Sequence, residues 1–235
     1  MKILAIDTAT EACSVAIWCD GQINEHFVEQ PKGHGTLILR MIDAILNETG
    51  IKLNELNAVA FGRGPGGFTG VRMAVSVAQA IGFGADLPLI PISNLAMLAQ
   101  GWYRISAATH IIPALDARMQ EIYIASYRII NELAEIVTPE QVIAPNLFTL
   151  NFDYHTWHGV GRGWSAHKPI LTAQLGQQLT MVTSEFLCHA QDALPLAITA
   201  LNSGNTILTE QALPVYLRDK VATSPLKNVK LSSNS

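Results

Sequence analysis

The segment Gly62-Arg63-Gly64-Pro65-Gly66-Gly67-Phe68-Thr69-Gly70-Val71-Arg72 constrains this chain more than any other. It follows an apolar run, Leu56 to Phe61, and precedes a helical pattern from about Thr69 to Gly84. It is therefore a strand-to-helix turn in which backbone N–H groups can approach an anion closely. The spacings G-x-x-x-x-G-K-[ST] and G-x-G-x-x-G are both missing, so it is neither a P-loop nor a dinucleotide fingerprint. Two readings stay open: a phosphate cradle, or a tight turn whose small residues let a helix pack closely.

Around this turn the chain alternates strand and helix patterns. Ile3 to Ile6 is a short apolar run, as for a strand covered on both faces. Cys13 to Trp18, the turn Asp20-Gly21 and Gln22 to Glu29 read as a hairpin. Thr36 to Asn47 reads as a helix closed by Gly50. Leu87 to Ile92 and a helix from Ser93 complete an α/β lobe with a mixed sheet. A similar order restarts at Ile112-Pro113-Ala114-Leu115-Asp116-Ala117, with Asp116 lying 109 residues after Asp7. Ile122 to Tyr127 then falls where Cys13 to Trp18 fell, and Val137–Ala144, Trp157–Val160 and a helix near Leu187–Asn202 follow. The expected organisation is two related lobes, residues 1–104 and 105–223, with a loose tail over 224–235.

Charged residues make up only 14% of the chain and the net charge is −4, which excludes a chain disordered as a whole and a basic nucleic-acid module. The opening residues reach Asp7 after four apolar side chains, too few for a signal-peptide core. The poorly charged stretch from Met73 to Tyr103 is broken by Asp86, Pro88 and Pro91, so no membrane span is expected. Cys13, Cys19 and Cys188 form no C-x-x-C pair and fit a reducing cytoplasm. The pairs His155/His158 and Cys188/His189 do not complete the four ligands of a closed zinc site.

The two helices of the first lobe carry more apolar side chains than one sheet should cover. Leu37, Ile38, Met41 and Ile45 of the first, and Met73, Val77, Ala80 and Gly84 of the second, are the candidate contact surface for a partner helix or a second copy. Arg40, Arg63 and Arg72 could extend a partner's basic surface.

Four ordered motifs then carry a resemblance that spans nearly the whole chain. They are Ile3-Leu4-Ala5-Ile6-Asp7-Thr8-Ala9-Thr10, the glycine-rich turn, Asp116-Ala117-Arg118 with Glu121 and Tyr123, and Pro214-Val215-Tyr216-Leu217-Arg218. Together they resemble the TsaB (YeaZ) family. The resemblance implies a two-lobed fold of the actin/sugar-kinase/Hsp70 (ASKHA) class. It also implies a noncatalytic subunit that partners the larger paralogue TsaD, with TsaE. That assembly attaches threonylcarbamoyl to the adenosine beside the anticodon (position 37) of tRNAs reading codons that begin with A. ATP and metal would then sit on TsaD, tRNA would be met through the complex, and the isolated chain would form a homodimer.

The paralogue's H-x-x-x-H metal motif falls here on Asn94 and Leu98, and its Gly-Gly-His phosphate turn on Asp116-Ala117-Arg118. Asp7, Thr8, Asp116, Arg118 and Glu121 are the candidate interlobe-cleft residues. In kinases of this class an aspartate after the first strand serves Mg²⁺ and phosphates, but the missing second phosphate turn favours Asp7 as a turn cap. Arg118 and Glu121 are candidates for an ion pair across the cleft. The alternative function is a small ATP-dependent phosphotransferase of the same fold. A hydrolase triad of Ser14, His34 and Asp43 lacks a G-x-S-x-G elbow.

Overall fold

The computed structural model describes residues 1–30, 33–150 and 156–218. The expected loose tail over 224–235, and His155, lie outside them. The apolar run at the start becomes β1 (Lys2–Asp7), whose Ile3 to Ile6 are fully buried. It pairs antiparallel with β2 (Ala12–Cys19), which returns through Asp20-Gly21 into β3 (Gln22–Glu29). Both turn residues take positive φ, 47° and 99°, the geometry that matches the twist of a two-residue hairpin. After α1 (His34–Thr49), capped by Gly50 at φ 66°, come β4 (Ala58–Gly62), α2 (Phe68–Ala85), β5 (Leu89–Ile92) and α3 (Asn94–Ser106). The Ser93 hydroxyl caps α3 by accepting from the N–H groups of Leu95 and Ala96.

The second half repeats this order with β6 (His110–Arg118), β7 (Glu121–Ile130), β8 (Leu133–Ile143), β9 (Trp157–Val160), α4 (Gly163–Leu175), β10 (Leu179–Thr183) and α5 (Ala190–Asn202). The sheets run β3-β2-β1-β4-β5 and β8-β7-β6-β9-β10, the same topology twice. In both, the outer three strands are antiparallel and the last two join in parallel. Among the described residues α1 has no α-helical counterpart; a single 3₁₀ turn, Pro145–Leu147, stands at that point of the second half. The sequence reading did not contain α4, which carries Pro169 in its interior, or β10. It also stopped β7 and β8 short of their two-residue turn, Asn131-Glu132.

The helices are shared between the sheets. α3 packs on β6, β7 and β8, whereas α5 returns to cover β1, β2, β4 and β5. These two helices and the facing sheet surfaces form one apolar layer through the middle, including Ile3, Ala60, Leu98, Trp102, Leu115 and Leu194. Two further cores lie outside it: α1 and α2 on the first sheet, α4 on the second. No helix among the described residues is long and apolar enough to cross a membrane.

The structure corrects part of the expected contact surface. Ile38, Met41 and Ile45 are buried, because α1 lies on β2 and β3 and turns those side chains into its own lobe's core. Leu37, Met73 and Val77 are half-buried beside them, while Ala80 and Gly84 are exposed. The polar stripe of α2 is also occupied: Gln79 donates to the carbonyls of Thr209 and Ala212, and Arg72 to the Tyr216 hydroxyl.

In the middle layer Arg104 of α3 makes a forked pair with Asp192 of α5, Nε to Oδ1 at 2.6 Å and Nη2 to Oδ2 at 3.2 Å. The aspartate side chain is 2% exposed, and burial pushes its carboxyl above the usual range despite the guanidinium. Removing one partner of such a pair strands a buried charge. Arg104→Ala should destabilise the chain by about 3 kcal/mol, a fall in Tm of roughly 6–12 °C. Thermal denaturation checks this, and an unchanged Tm counts against the pair as a structural tie.

Candidate functional site

The glycine-rich turn leaves β4 and enters α2 directly over the exit of β1. Gly62 faces Asp7 so closely that a Cβ there would lie 2.0 Å from the carboxylate Oδ1. A Cβ at Gly70 would lie 1.9 Å from the Thr8 carbonyl oxygen. The Thr8 hydroxyl donates to the Gly70 carbonyl at 2.7 Å, and the Gly67 N–H donates to the Ala9 carbonyl at 2.7 Å. Glycine is required here by close approach: the turn lies flat on the Thr8–Ala9 backbone, and the Gly67 N–H is committed to it.

In front of this contact a cleft of about 1170 Å³ opens between the lobes. Thr8 to Glu11 and Pro65 to Met73 line one wall, Leu115 to Met119 and Arg162 the other, and Val215, Tyr216 and Arg218 also border it. Of the candidate cleft residues, Thr8, Asp116 and Arg118 line the cavity. Asp7 sits behind the wall with no exposure. Its Oδ1 accepts from Asn94 Nδ2 at 2.6 Å and its Oδ2 from the Ala9 N–H at 3.4 Å, so it caps the turn. Asn94 Oδ1 in turn accepts from the Gly64 N–H at 2.8 Å. Burial pushes the Asp7 carboxyl up to about 7, against the lowering effect of the bonds from Asn94, Ala9 and Thr8.

The expected Arg118–Glu121 pair does not form. Residues 118–120 all take positive φ, and this tight turn curls Arg118 back onto Asp116, with its N–H at 2.8 Å and Nη1 at 3.0 Å. Glu121, the first residue of β7, instead takes the guanidinium of Arg218. Arg218 also donates to the Ala117 carbonyl at 3.0 Å, so the segment after Leu213 reaches the second lobe. The cleft wall at 116–118 is thus a locally neutral pair, without a net positive cradle.

The other candidates separate in space. The Ser14 hydroxyl donates to Glu25 at 2.9 Å and accepts from the Ala190 N–H, while the His34 ring meets the Gln30 carbonyl. Asp43 is exposed on α1, so no Ser-His-Asp chain is built. Arg63 pairs with Glu140 at 3.2 Å and Arg72 stacks on Phe68 at 3.7 Å, while Arg40 is exposed on α1. His189 binds Glu25, and the Cys188 thiol faces the Asn94 carbonyl. No cluster of three or more His, Cys, Asp and Glu side chains among the described residues could hold a metal.

Sequence reasoning missed Arg162, whose guanidinium reaches Glu29 and, at 3.5 Å, Glu11 across the cleft. The signal was available: Gly161-Arg162-Gly163 repeats Gly62-Arg63-Gly64 after the equivalent strand of the second sheet.

The family model of TsaD, tRNA N6-adenosine threonylcarbamoyltransferase, matches residues 28–225. The chain is 42% identical to the tRNA threonylcarbamoyladenosine biosynthesis protein TsaB of Escherichia coli (strain K12), covering 96% of this chain and 98% of that one. The chain belongs to the TsaB family. The TsaB of Haemophilus influenzae is 35% identical over 96% of this chain and 97% of its own length. The solved structure of YeaZ from Pseudomonas aeruginosa superposes with a TM-score of 0.87 at 38% identity, covering 92% of this chain and 99% of that one. The two-lobed ASKHA-type α/β fold expected from the resemblance is therefore the fold of this TsaB-family member. Against the paralogue's metal motif, Asn94 is the buried link between Asp7 and Gly64, and Leu98 lies in the apolar middle layer.

Asp7 generates a measurable consequence. A carboxyl whose pKa is raised on folding keeps its proton in the folded chain after the unfolded chain has released it. Stability therefore falls as pH rises from about 4 to about 7, by an amount on the order of 4 kcal/mol. Asp7→Asn removes this term, so the Tm of the variant relative to the parent should be higher at pH 8 than at pH 5. An equal Tm difference at both pH values would sink the assignment.

Proposed function

We propose that this chain acts in threonylcarbamoyladenosine formation on tRNA as a noncatalytic subunit. It supports TsaD, together with TsaE, in transferring threonylcarbamoyl to the adenosine beside the anticodon (position 37) of tRNAs reading codons that begin with A. The full-length match to relatives named for this biosynthesis carries the reading. The cleft supports the noncatalytic role. Asp7 is closed off from it, Asp116 is neutralised by Arg118, and the paralogue's metal positions are occupied by a structural asparagine and a core leucine. ATP and metal accordingly belong to TsaD, and tRNA is met through the assembled complex in the cytoplasm.

The partner contact lies along the exposed flank of α2. Ala80 and Gly84 face solvent there, next to half-buried Met73, Val77 and Leu37. Small residues let a second helix approach closely, and the same face pairs two copies of the chain when TsaD is absent.

Two measurements test this. A Cβ on Gly84 meets nothing within 4 Å, so Gly84→Gln fits the free chain and raises its helix propensity by roughly 0.5–1 kcal/mol. The variant should hold or raise Tm yet lose co-purification with TsaD; undiminished co-purification refutes the contact. Depletion of the protein should lower threonylcarbamoyladenosine in digested tRNA, and an unchanged nucleoside level refutes the function.

A further inference from the structure

The repeated Gly-Arg-Gly turns make a reciprocal arrangement. Arg63, after β4 of the first sheet, reaches Glu140 on β8 of the second. Arg162, after β9 of the second sheet, reaches Glu29 on β3 of the first. β3 and β8 hold equivalent places in the two sheets, as do β4 and β9. Each lobe therefore extends an arginine from the same turn to a glutamate on the same strand of the other lobe.

The two ties differ in their surroundings. The Glu140 side chain is 9% exposed and also accepts from the Tyr127 hydroxyl at 2.8 Å and from the Ser93 hydroxyl. The Arg63 backbone carbonyl accepts from the Val215 N–H at 2.8 Å, which fastens the segment carrying Arg218 over this tie. Arg162, by contrast, meets carboxylates at the surface: Glu29 is 51% exposed, Glu11 38% and Glu185 74%. An exposed pair is screened by salt and contributes little, whereas a buried, multiply bonded carboxylate holds firmly.

We infer that the Arg63–Glu140 cluster is the fixed pivot between the lobes and the Arg162–Glu29/Glu11 pair a releasable latch that sets the opening of the cleft. Arg162 faces Thr8 to Glu11 across the cleft, so its release loosens this stretch from the opposing wall. Arg162 is a positioning residue here. The inference concerns the motion of this chain alone and stands whether or not the chain serves tRNA modification.

The test uses the full chain with Cys19→Ser and spin labels on Asp43→Cys of α1 and Lys168→Cys of α4, exposed sites on opposite lobes. In the parent, pulsed electron resonance at low salt should give one narrow distance component. Arg162→Ala should add a second component absent from the parent. The parent in 1 M salt, where the Debye length is about 3 Å, should gain the same component. The double variant Glu11→Gln with Glu29→Gln, which removes the carboxylates of the opposite wall, should add the same component. Circular dichroism confirms that each variant is folded. An Arg162→Ala distribution identical to the parent's, or a Glu11→Gln/Glu29→Gln variant that keeps the narrow distribution, overturns the latch.

Discussion

The structure depends on one steric fact: nothing larger than hydrogen fits between the glycine-rich turn and the exit of β1. With Gly62 against Asp7 and Gly70 against the Thr8 carbonyl, α2 starts directly over the first strand. That placement seals Asp7 inside, where Asn94 and the Ala9 N–H are its hydrogen-bond donors. It also sets the direction in which Arg63 leaves the turn toward Glu140. A turn with the composition of an anion cradle is here largely a joint between two backbones.

Much of this was legible in the residues. Continuous apolar runs gave β1 and β4, Asp20-Gly21 gave the first hairpin, and Ser93 marked the start of α3. The duplication showed through the spacing of Asp7 and Asp116. What stayed hidden was long-range or chemically unmarked. Met119-Gln120 closes a hairpin without any residue that favours positive φ. Pro169 inside α4 breaks the pattern by which a helix is recognised. The partners of Arg118, Glu121 and Arg218 follow from the curl of one turn and a segment nearly a hundred residues away, which no local pattern encodes.

The candidate contact surface shows a different limit. Counting apolar positions around α1 overstated its free face, because α1 rests on β2 and β3 and also borders the α2 layer. Low overall charge has a structural counterpart as well. Several of the few charged groups are used as ties between elements distant in sequence: Arg63 with Glu140, Arg104 with Asp192, Arg162 with Glu29 and Arg218 with Glu121. Three compact apolar layers account for the remainder of the composition.

The return of α5 to the first sheet bears on how the chain is made. The inner face of β1, β2 and β4 is covered by residues 190–202, so the first half, once synthesised, still shows a bare apolar sheet surface. On the ribosome that surface must wait through the synthesis of the whole second sheet before its cover emerges. Folding of the nascent chain thus cannot finish lobe by lobe from the N-terminus. The first lobe is sequestered only once residues 190–202 have emerged.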